Sequence, residues 1–429
     1  MKTHYLTGFK KTLIYGVIAI HVIGYYLCRP SKFHWSLVRY CRFLKQAFHL
    51  LLIFRHNKVV RVFNGYKLHL YLPAYPSKAF FYAIESKLCK EPPSPITIVF
   101  SITKACRYKC QHCYQRNDQN QELTESAMIA TAQKMQDLGV AMFDIEGGEP
   151  LLRYERLLHL VEFLDDRSEI WINTTGDNLT GEKLLELADK KLFGMMISIH
   201  SPDPQKHDAF TGIAGSFQTA CSALRLCRKN NLVTAINSVL SEEEIKSGKL
   251  DNLMALAKEL DCDYVQLIHP KPAGKWLGHT AGMQTNPDLL AKIRLAHIYY
   301  NSSKTKDFPS LSAQAFEESP EVLGCTAGGI DRFYLNASGE LQPCEFLNIS
   351  FGNVQSESFE TIYARMRSAF PYPCCDWLCC ARAQEIYAAF QNNQITIAPL
   401  PWEITQKLVQ NWQGGTQTPL YKKLNIYHS

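Results

Sequence analysis

Three cysteines lie close together in the first third of the chain with the spacing C-x3-C-x2-C. They are Cys106, Cys110 and Cys113, within residues 103–114. A cubane iron-sulfur cluster has four irons, so three thiolates would bind three of them and leave the fourth open to a non-protein ligand. The spacing therefore predicts a cluster at which chemistry can take place.

A zinc ion or a set of free thiols is the alternative interpretation of these cysteines. Structural zinc takes four Cys or His ligands in a tetrahedron. His112 is the only other ligand of that kind in the run, and because it is adjacent to Cys113 it could hardly complete the tetrahedron. The spacing favours the iron-sulfur cluster.

A second motif, Gly147-Gly148-Glu149-Pro150, follows an apolar run 34 residues after the third cysteine. Two glycines allow the backbone to approach a ligand closely, and a carboxylate at this position can hold an ammonium group. By itself the tetrapeptide could be a simple loop.

Together, the cysteine triad and the tetrapeptide resemble the radical S-adenosylmethionine (SAM) enzymes. The resemblance implies that the amino and carboxylate groups of SAM chelate the open iron of a [4Fe-4S] cluster, and that Gly147 to Pro150 position the methionine part. It also implies that Asn173, at the end of the third predicted strand, and Ser198, on the fourth, face SAM. Asn173 could instead belong to a polar turn. His200 stands where many relatives have Asp and receives no role.

Strands and helices alternate from residue 96 onward. Six strand-helix units predict an α/β fold, a partial (β/α)6 TIM-like barrel with its active residues at the carboxyl ends of the strands. The predicted strands are 96–102, 141–145, 169–173, 194–199, 233–239 and 264–268, and the predicted helices are 124–138, 154–164, 181–190, 216–229, 249–260 and 286–300.

A second group of cysteines follows the predicted barrel, and the run between the first two of them, Cys325 and Cys344, predicts a hairpin. The group resembles the SPASM and twitch extensions of radical SAM enzymes, which hold auxiliary [4Fe-4S] clusters. Full SPASM domains have seven cysteines and this region has six, so the resemblance implies one auxiliary cluster, bound by the first two cysteines and two of the last four. Structural zinc and a second, incompletely ligated cluster are the alternatives. The six are Cys325, Cys344, Cys374, Cys375, Cys379 and Cys380.

The first 84 residues contain 13 Lys and Arg and no Asp or Glu, whereas the rest of the chain has 33 against 40. A basic block of this kind could bind nucleic acid or anionic lipid. Two apolar stretches, Leu13 to Cys28 and His34 to Phe54, argue for lipid, and the first is slightly short of a spanning helix. The alternative is a pair of helices packed on the barrel or on a partner chain.

The predicted organisation has five parts. They are a hydrophobic, basic, membrane-associating segment (1–56), a hairpin and linker (57–95) with an Asn64-Gly65 turn, a radical SAM core (96–301), a small Cys-rich domain (320–385) and a C-terminal helix and tail (386–429). We expect the protein on the cytoplasmic side of a membrane, in a reducing compartment, because its clustered cysteines favour metal binding over disulfides.

The predicted function is reductive cleavage of SAM to a deoxyadenosyl radical that abstracts hydrogen from a substrate. Family frequency ranks a peptide or protein substrate first, with a membrane lipid or a tetrapyrrole or other cofactor as alternatives. A flavodoxin- or ferredoxin-like protein would supply the electron, and no nucleic-acid partner is expected. A membrane-bound iron-sulfur redox relay and a zinc-dependent nucleic-acid-binding protein are remote alternatives.

Overall fold

The computed structural model describes residues 4–29, 36–63, 65–115, 118, 120–279, 283, 286–412 and 415–427. Asn64, from the predicted hairpin turn, lies outside the described residues. Twelve strands occur in the described part of the chain. In chain order they are His4–Leu6 (β1), Val59–Val62 (β2), Gly65–Lys67 (β3), Thr97–Ser101 (β4), Met142–Glu146 (β5), Glu169–Thr174 (β6), Leu192–Ser198 (β7), Val233–Val239 (β8), Tyr264–Ile268 (β9), Ser310–Ala313 (β10), Arg332–Leu335 (β11) and Leu341–Gln342 (β12).

The helices pack around these strands. In chain order they are Gly8–Leu27 (α1), Leu37–Ile53 (α2), Lys78–Leu88 (α3), Glu125–Leu138 (α4), Tyr154–Phe163 (α5), Gly181–Asp189 (α6), Pro204–Thr211 (α7), Ser216–Lys229 (α8), Glu242–Lys246 (α9), Lys249–Glu259 (α10), Pro287–Tyr300 (α11), Gln314–Glu317 (α12), Phe359–Ala369 (α13), Leu378–Ala381 (α14), Ala383–Asn392 (α15), Trp402–Gln410 (α16) and Pro419–Leu424 (α17). Short 3-10 turns occupy Phe54–His56, Pro150–Arg153, Gly274–Trp276 and Ser303–Thr305.

One nine-stranded sheet forms the centre of the fold, in the order β10-β9-β8-β7-β6-β5-β4-β11-β12. Neighbouring strands from β10 to β11 run parallel, and β12 returns antiparallel to β11. The six predicted strand-helix units form the middle of this sheet, so the predicted α/β barrel class is confirmed. Strands such as β4 and β5 are buried along their whole length, as expected for a parallel sheet covered on both faces.

Two further strands extend the barrel beyond the six predicted units. β10 pairs with β9, and β11 pairs in parallel with β4, so that Arg332 lies opposite Thr97. β11 and β12 form the hairpin expected between Cys325 and Cys344. The Cys-rich region therefore contributes a strand to the same sheet that carries the first cysteine loop. This strand, β11, pairs with the edge of β4 that is not paired with β5.

The predicted hairpin after residue 57 closes the amino-terminal end of the barrel. β2 and β3 pair antiparallel, but the second strand ends at Lys67 and not at Leu72. It ends early because the chain turns there: the Lys67 ammonium donates to Leu72 O (2.7 Å) and to the Glu169 carboxylate (2.5 Å) at the start of β6. Glu169 also accepts from Trp171 Nε1 (2.7 Å), so this buried ion pair joins the hairpin to the barrel.

The two N-terminal helices pack beside the barrel with their inner faces and expose apolar residues on their outer faces. Ile18, Val22 and Tyr26 of α1, spaced four residues apart, are buried with Phe43 of α2. The Tyr26 hydroxyl donates to Phe81 O (3.0 Å) in α3. Within the described residues, no helix combines the length and the apolar character needed to cross a lipid bilayer.

Candidate active site

The first cysteine loop begins where β4 ends, at the carboxyl end of the barrel. Cys106, Cys110 and Cys113 line one cavity of about 250 Å³. Cys106 is exposed, and the other two are half-buried. In the described part of the chain, the side chains as they stand form no group of three or more Cys, His, Asp or Glu arranged to hold a metal ion. The three thiols nevertheless share one cavity at the end of the barrel where the sequence predicted chemistry.

The two glycines of the second motif hold the cysteine loop by direct backbone contact. Gly148 N donates to Thr103 O (2.6 Å), and Glu149 N donates to Ala105 O (2.7 Å). A Cβ added at Gly147 would lie 2.6 Å from Thr103 O, and one at Gly148 would lie 2.5 Å from Ala105 O. The sequence-based interpretation was that these glycines let the backbone approach a ligand; in the structure, their close approach is to the cysteine loop itself.

Glu149 and Pro150 differ from the sequence-based expectation because neither lines the cavity. The Glu149 carboxylate is fully buried and accepts hydrogen bonds from Thr174 Oγ1 (2.6 Å), Thr175 N (2.8 Å) and Leu151 N (3.2 Å). Burial raises the pKa of Glu149, and these hydrogen bonds act in the opposite direction. The side chain therefore ties the glycine motif to the end of β6, where Thr174 and Thr175 lie, and its oxygens are already engaged.

Two more segments hold the cysteine loop from the opposite side. Lys109 N donates to Thr211 O (2.9 Å) at the end of α7. Lys275 N donates to Cys113 O (3.1 Å), and its ammonium donates to Cys110 O (3.1 Å). These contacts come from regions about 100 and 160 residues away along the chain, so three separate loops fix the position of the thiols.

His112 packs into an aromatic group beside the cavity. Its ring centroid lies 4.5 Å from that of His200, 5.0 Å from Phe210 and 6.0 Å from Trp276. Burial lowers the pKa of His112 to about 4, so its ring is neutral at neutral pH. The ring thus contributes to the packing that supports the loop, in keeping with the argument against a zinc tetrahedron.

Several buried polar atoms around the cavity have no hydrogen-bond partner among the described residues. Buried polar groups are normally paired, so unpaired ones that face a cavity indicate a polar ligand. These atoms offer donors and acceptors of the kind that a nucleoside and an amino acid require. They are Tyr108 Oη, His112 Nδ1, Asp144 Oδ1, Asn173 Oδ1, Asn237 Oδ1, Gln266 Oε1 and Arg332 Nε.

Asn173 and Ser198, which the resemblance implied would face SAM, both line the cavity. Sequence reasoning missed Asp144 and Glu146, two buried acids of β5 that line it as well. Burial raises the pKa of Glu146 to about 8, against the effect of hydrogen bonds from Tyr114 and Gln115. The signal was present in the sequence: two acids at alternate positions of an otherwise apolar strand share one face.

The six later cysteines, the candidate second site, lie outside the active-site cavity. Cys325, Cys344 and Cys379 are buried, and Cys379 shares a hydrogen bond with Cys380. The pKa of the Cys379 thiol is raised, first by its hydrogen bond with Cys380 and then by burial. Cys344 lies near enough to contribute to this rise. Cys325 N donates to Cys374 O (2.7 Å).

The remaining pair of cysteines lies toward the C-terminal tail. The Cys374 thiol faces Gly415, where an added Cβ would lie 2.6 Å from its Sγ. Cys375 N donates to Thr416 O (3.0 Å), and Cys375 is only half-buried. The adjacent Cys374 and Cys375 therefore have different surroundings from Cys379 and Cys380.

Lys271 supplies an independent observation at this second site. Its ammonium is buried, has no hydrogen-bond partner among the described residues, and lies 2.8 Å from the centroid of the Trp377 ring. Cys379 and Cys380 are close enough for its charge to affect both thiols. A buried cation requires a compensating charge, and an anionic thiolate-ligated cluster at these cysteines would provide it.

The barrel carries three cysteines after its first strand and a glycine pair after its second. Unpaired polar atoms surround the cavity that the cysteines and glycines share. This is the arrangement of an iron-sulfur enzyme that binds SAM. Residues 100–247 match the Radical SAM superfamily. The matched segment includes the cysteine triad and the glycine pair, and the enzymes of this superfamily use a [4Fe-4S] cluster and SAM.

Among proteins of similar sequence, the chain is 23% identical to an AdoMet-dependent heme synthase of Methanosarcina barkeri over 296 residues, covering 63% of this chain and 82% of the relative. It is 21% identical to an AdoMet-dependent heme synthase of Nitratidesulfovibrio vulgaris, covering 62% and 78%. Both alignments extend well beyond the matched superfamily segment.

Solved structures of similar fold include Streptococcus suis SuiB bound to its precursor peptide SuiA, with a TM-score of 0.51 and 16% identity. That alignment covers 63% of this chain and 64% of SuiB. A histidine-tagged form of anSMEcpe with bound AdoMet has a TM-score of 0.51 and 14% identity, and the alignment covers 78% of this chain and 100% of anSMEcpe. At these identities the similarity establishes the fold.

The close contact of Gly148 with the cysteine loop can be tested by substitution. We expect Gly148→Ala to lower the iron content of the anaerobically reconstituted protein by up to about four irons, the content of one cubane cluster, because the new Cβ would displace the Ala105 and Lys104 carbonyls from the loop that carries the thiols. Gly181→Ala is the matched control, since nothing lies within 4 Å of a Cβ at that position. Equal iron content in the two variants would contradict the structural role of Gly148.

Proposed function

We propose that the chain cleaves SAM reductively and uses the resulting deoxyadenosyl radical to abstract hydrogen from a substrate carbon. The observation that carries this proposal is the single cavity shared by Cys106, Cys110, Cys113 and the Gly147-Gly148 backbone. When bound, the [4Fe-4S] cluster supplies the electron that cleaves SAM.

The chain's own residues would hold and enclose the reactants. The three thiolates would bind the cluster, and the backbone of Gly147 and Gly148 would face the methionine part of SAM. Asn173 and Ser198, with the unpaired amide of Asn237, would bind its polar groups. Trp276, Phe210 and the neutral His112 ring pack beside the cavity, which favours exclusion of solvent and of side reactions from the site of a reactive radical.

Three substrate classes are supported to different degrees. A peptide or protein is supported by the similarity in fold to SuiB and anSMEcpe, whose structures include peptide complexes. A tetrapyrrole is supported by the relatives named heme synthase. A lipid is supported by the basic, apolar N-terminal helices and by the cavity that lies between them and the barrel.

We propose that one auxiliary [4Fe-4S] cluster is bound by Cys325, Cys344, Cys379 and Cys380. The burial of the first three, the pairing of the last two and the uncompensated Lys271 support this set. An auxiliary cluster could take the product electron or ligate the substrate. A flavodoxin- or ferredoxin-like protein would reduce the catalytic cluster.

We also propose that the outer faces of α1 and α2 lie on a membrane surface, on its cytoplasmic side. Val17 and Ile20 of α1 are 52% and 73% exposed, and Leu37 and Val38 of α2 are 80% and 72% exposed. Exposed apolar side chains beside basic ones favour the lipid headgroup layer. This role is compatible with the packing of the inner helix faces against the barrel.

The catalytic assignment predicts loss of SAM cleavage when the three thiols are removed. Reconstituted wild-type protein with dithionite should form deoxyadenosine, and Cys106→Ala/Cys110→Ala/Cys113→Ala should form none while losing about four irons, the content of one cubane cluster. Cys28→Ala/Cys41→Ala, which removes two exposed thiols from the helices, is the control and should match wild type. Persistent deoxyadenosine formation in the triple variant would overturn the proposal.

The proposed auxiliary ligands predict different effects for two nearby cysteines. Cys379→Ala should remove most of the iron of the second cluster, because it deletes a buried thiol beside Cys344 and Cys380. Cys375→Ala should leave the iron content of the protein unchanged. Iron analysis and electron paramagnetic resonance of the two variants would measure this, and iron loss confined to Cys375→Ala would refute the ligand set.

Membrane contact predicts that apolar-to-acidic changes on α1 weaken vesicle binding. In flotation with vesicles rich in phosphatidylserine, Val17→Asp/Ile20→Asp should shift the protein toward the unbound fraction. Leu185→Asp/Leu295→Asp replaces equally exposed apolar residues on the barrel helices and should float like wild type. Flotation of the α1 variant at the wild-type level would argue against the contact.

A further inference from the structure

A second cavity, of about 290 Å³, lies between the N-terminal helices and the barrel. Its outer part is lined by aliphatic and aromatic side chains of α1, α2 and α3, including Ile18, Val22, Leu51 and Phe80. Phe48 lines it too and is 60% exposed, so the cavity reaches the outer surface of α2. We call it the apolar cavity.

The apolar cavity follows the opening in the side of the partial barrel. Ser312 of β10 and Arg332 of β11 both line it. β10 is one edge of the nine-stranded sheet, and β11 lies next to the other edge. The cavity therefore leads from the helices through the gap between the two ends of the sheet toward the barrel interior.

The inner end of the apolar cavity meets the active-site cavity. Tyr71, Gln266, Gln314 and Arg332 line both cavities. Gln266 Nε2 donates to the Tyr71 hydroxyl, whereas Gln266 Oε1 and Arg332 Nε have no hydrogen-bond partner among the described residues. The junction thus combines an available acceptor with an available donor between an apolar space and the thiol-lined cavity.

The charged side chains along the apolar cavity are paired with one another. Such pairs leave little net charge to attract an ionic ligand and form one polar wall of a space that is otherwise apolar. The pairs are His69 with Glu317 (3.1 Å), Arg332 with Glu318 (2.8 Å) and Lys87 with Asp331.

We infer that the substrate is an amphiphile with a long acyl or isoprenoid chain, which lies in the apolar cavity while the polar group lies in the active-site cavity. The inference rests on the proposed function and names its substrate class. The polar group passes the junction at Gln266 and Arg332 and carries the carbon from which hydrogen is abstracted. The chain extends outward between α1 and α2 toward the surface where Phe48 is exposed.

The other two substrate classes match this space less well. A peptide in the apolar cavity would bury backbone amides among aliphatic side chains of α1, α2 and α3, at a cost in unsatisfied hydrogen bonds. The carboxylates of a tetrapyrrole would have to compete with Glu317, Glu318 and Asp331 for the cations. A hydrocarbon chain needs no polar partner there, and its burial is favourable along its whole length.

The test uses the full-length protein and cis-parinaric acid, a fluorescent long-chain probe. Ala19 lines the apolar cavity, and its neighbour Ile20 is 73% exposed on the same helix. Ala19→Trp should weaken probe binding at least tenfold because the indole fills the cavity, whereas Ile20→Trp should bind like wild type. Ala47→Leu, a smaller change on α2, provides a second cavity-filling variant if Ala19→Trp fails to fold.

Chain length gives a second measurement on the same protein. Competition by n-alkanols should strengthen about fourfold per added methylene until the cavity is filled. A matching series of isoprenoid alcohols, together with mass spectrometry of lipids released from wild type and absent from Ala19→Trp, distinguishes an acyl from an isoprenoid chain. Probe binding insensitive to both cavity-filling variants, or competition independent of chain length, would overturn the inference.

Failure of this inference can be separated from failure of the proposed function. Dithionite-driven deoxyadenosine formation without substrate is measured on the same wild-type protein that is used for probe binding. If wild type forms no deoxyadenosine, the proposed radical chemistry fails whatever the probe result. If deoxyadenosine forms but the probe does not bind, the chemistry stands and the chain-binding site is refuted.

Discussion

The structure depends on the backbone contact between the cysteine loop and the loop that follows β5. Two amides, those of Gly148 and Glu149, donate to carbonyls of the cysteine loop, and the approach leaves no room for a side chain at Gly147 or Gly148. The contact continues the parallel pairing of β4 with β5 beyond the sheet. It places the three thiols over the carboxyl end of the barrel, although the residues that carry them form neither a helix nor a strand.

Glu149 connects this contact to the next strand. Its buried carboxylate is satisfied by Thr174, Thr175 and Leu151, so the ends of β4, β5 and β6 form one hydrogen-bonded unit. A buried carboxylate that lost these donors would be costly, which gives the acid of the motif a structural role in addition to any contact of its backbone with SAM. The carboxylates that line the cavity include those of Asp144 and Glu146, which lie a few residues before Glu149, in β5.

The N-terminal helices explain why a partial barrel can remain open at its side. The gap between β10 and β11 faces α1, α2 and α3, and the apolar cavity lies in that gap. The outer faces of α1 and α2 are apolar as well, which is consistent with the proposed contact of this helix pair with lipid. A substrate chain passing between them would link the membrane surface to the radical site without crossing water.

Much of the core could be predicted because each strand and helix has a local pattern. β5, for instance, differs from its predicted range by one residue at each end, and α4 begins one residue after the start of its predicted range. β10 escaped prediction because it has only four residues and depends on pairing with β9. The pairing of β11 with β4 also escaped prediction, because no local signal indicates pairing with a distant strand. The sequence shows Asp144 and Glu146 as two acids in an apolar strand. Only the structure shows that the face of β5 that carries them lines the same cavity as the thiols.

The sequence alone determined the chemistry: the spacing of Cys106, Cys110 and Cys113 and the Gly147-Gly148 pair indicate a cluster with an open iron and a site for SAM, because ligand type and spacing are local properties. The tertiary structure decided what surrounds that chemistry. It turned the Glu149 carboxylate away from the cavity, separated Cys375 from Cys379 and joined an apolar cavity to the active site through Gln266 and Arg332. Those features arise from contacts between residues far apart along the chain, and no local sequence pattern indicates such contacts.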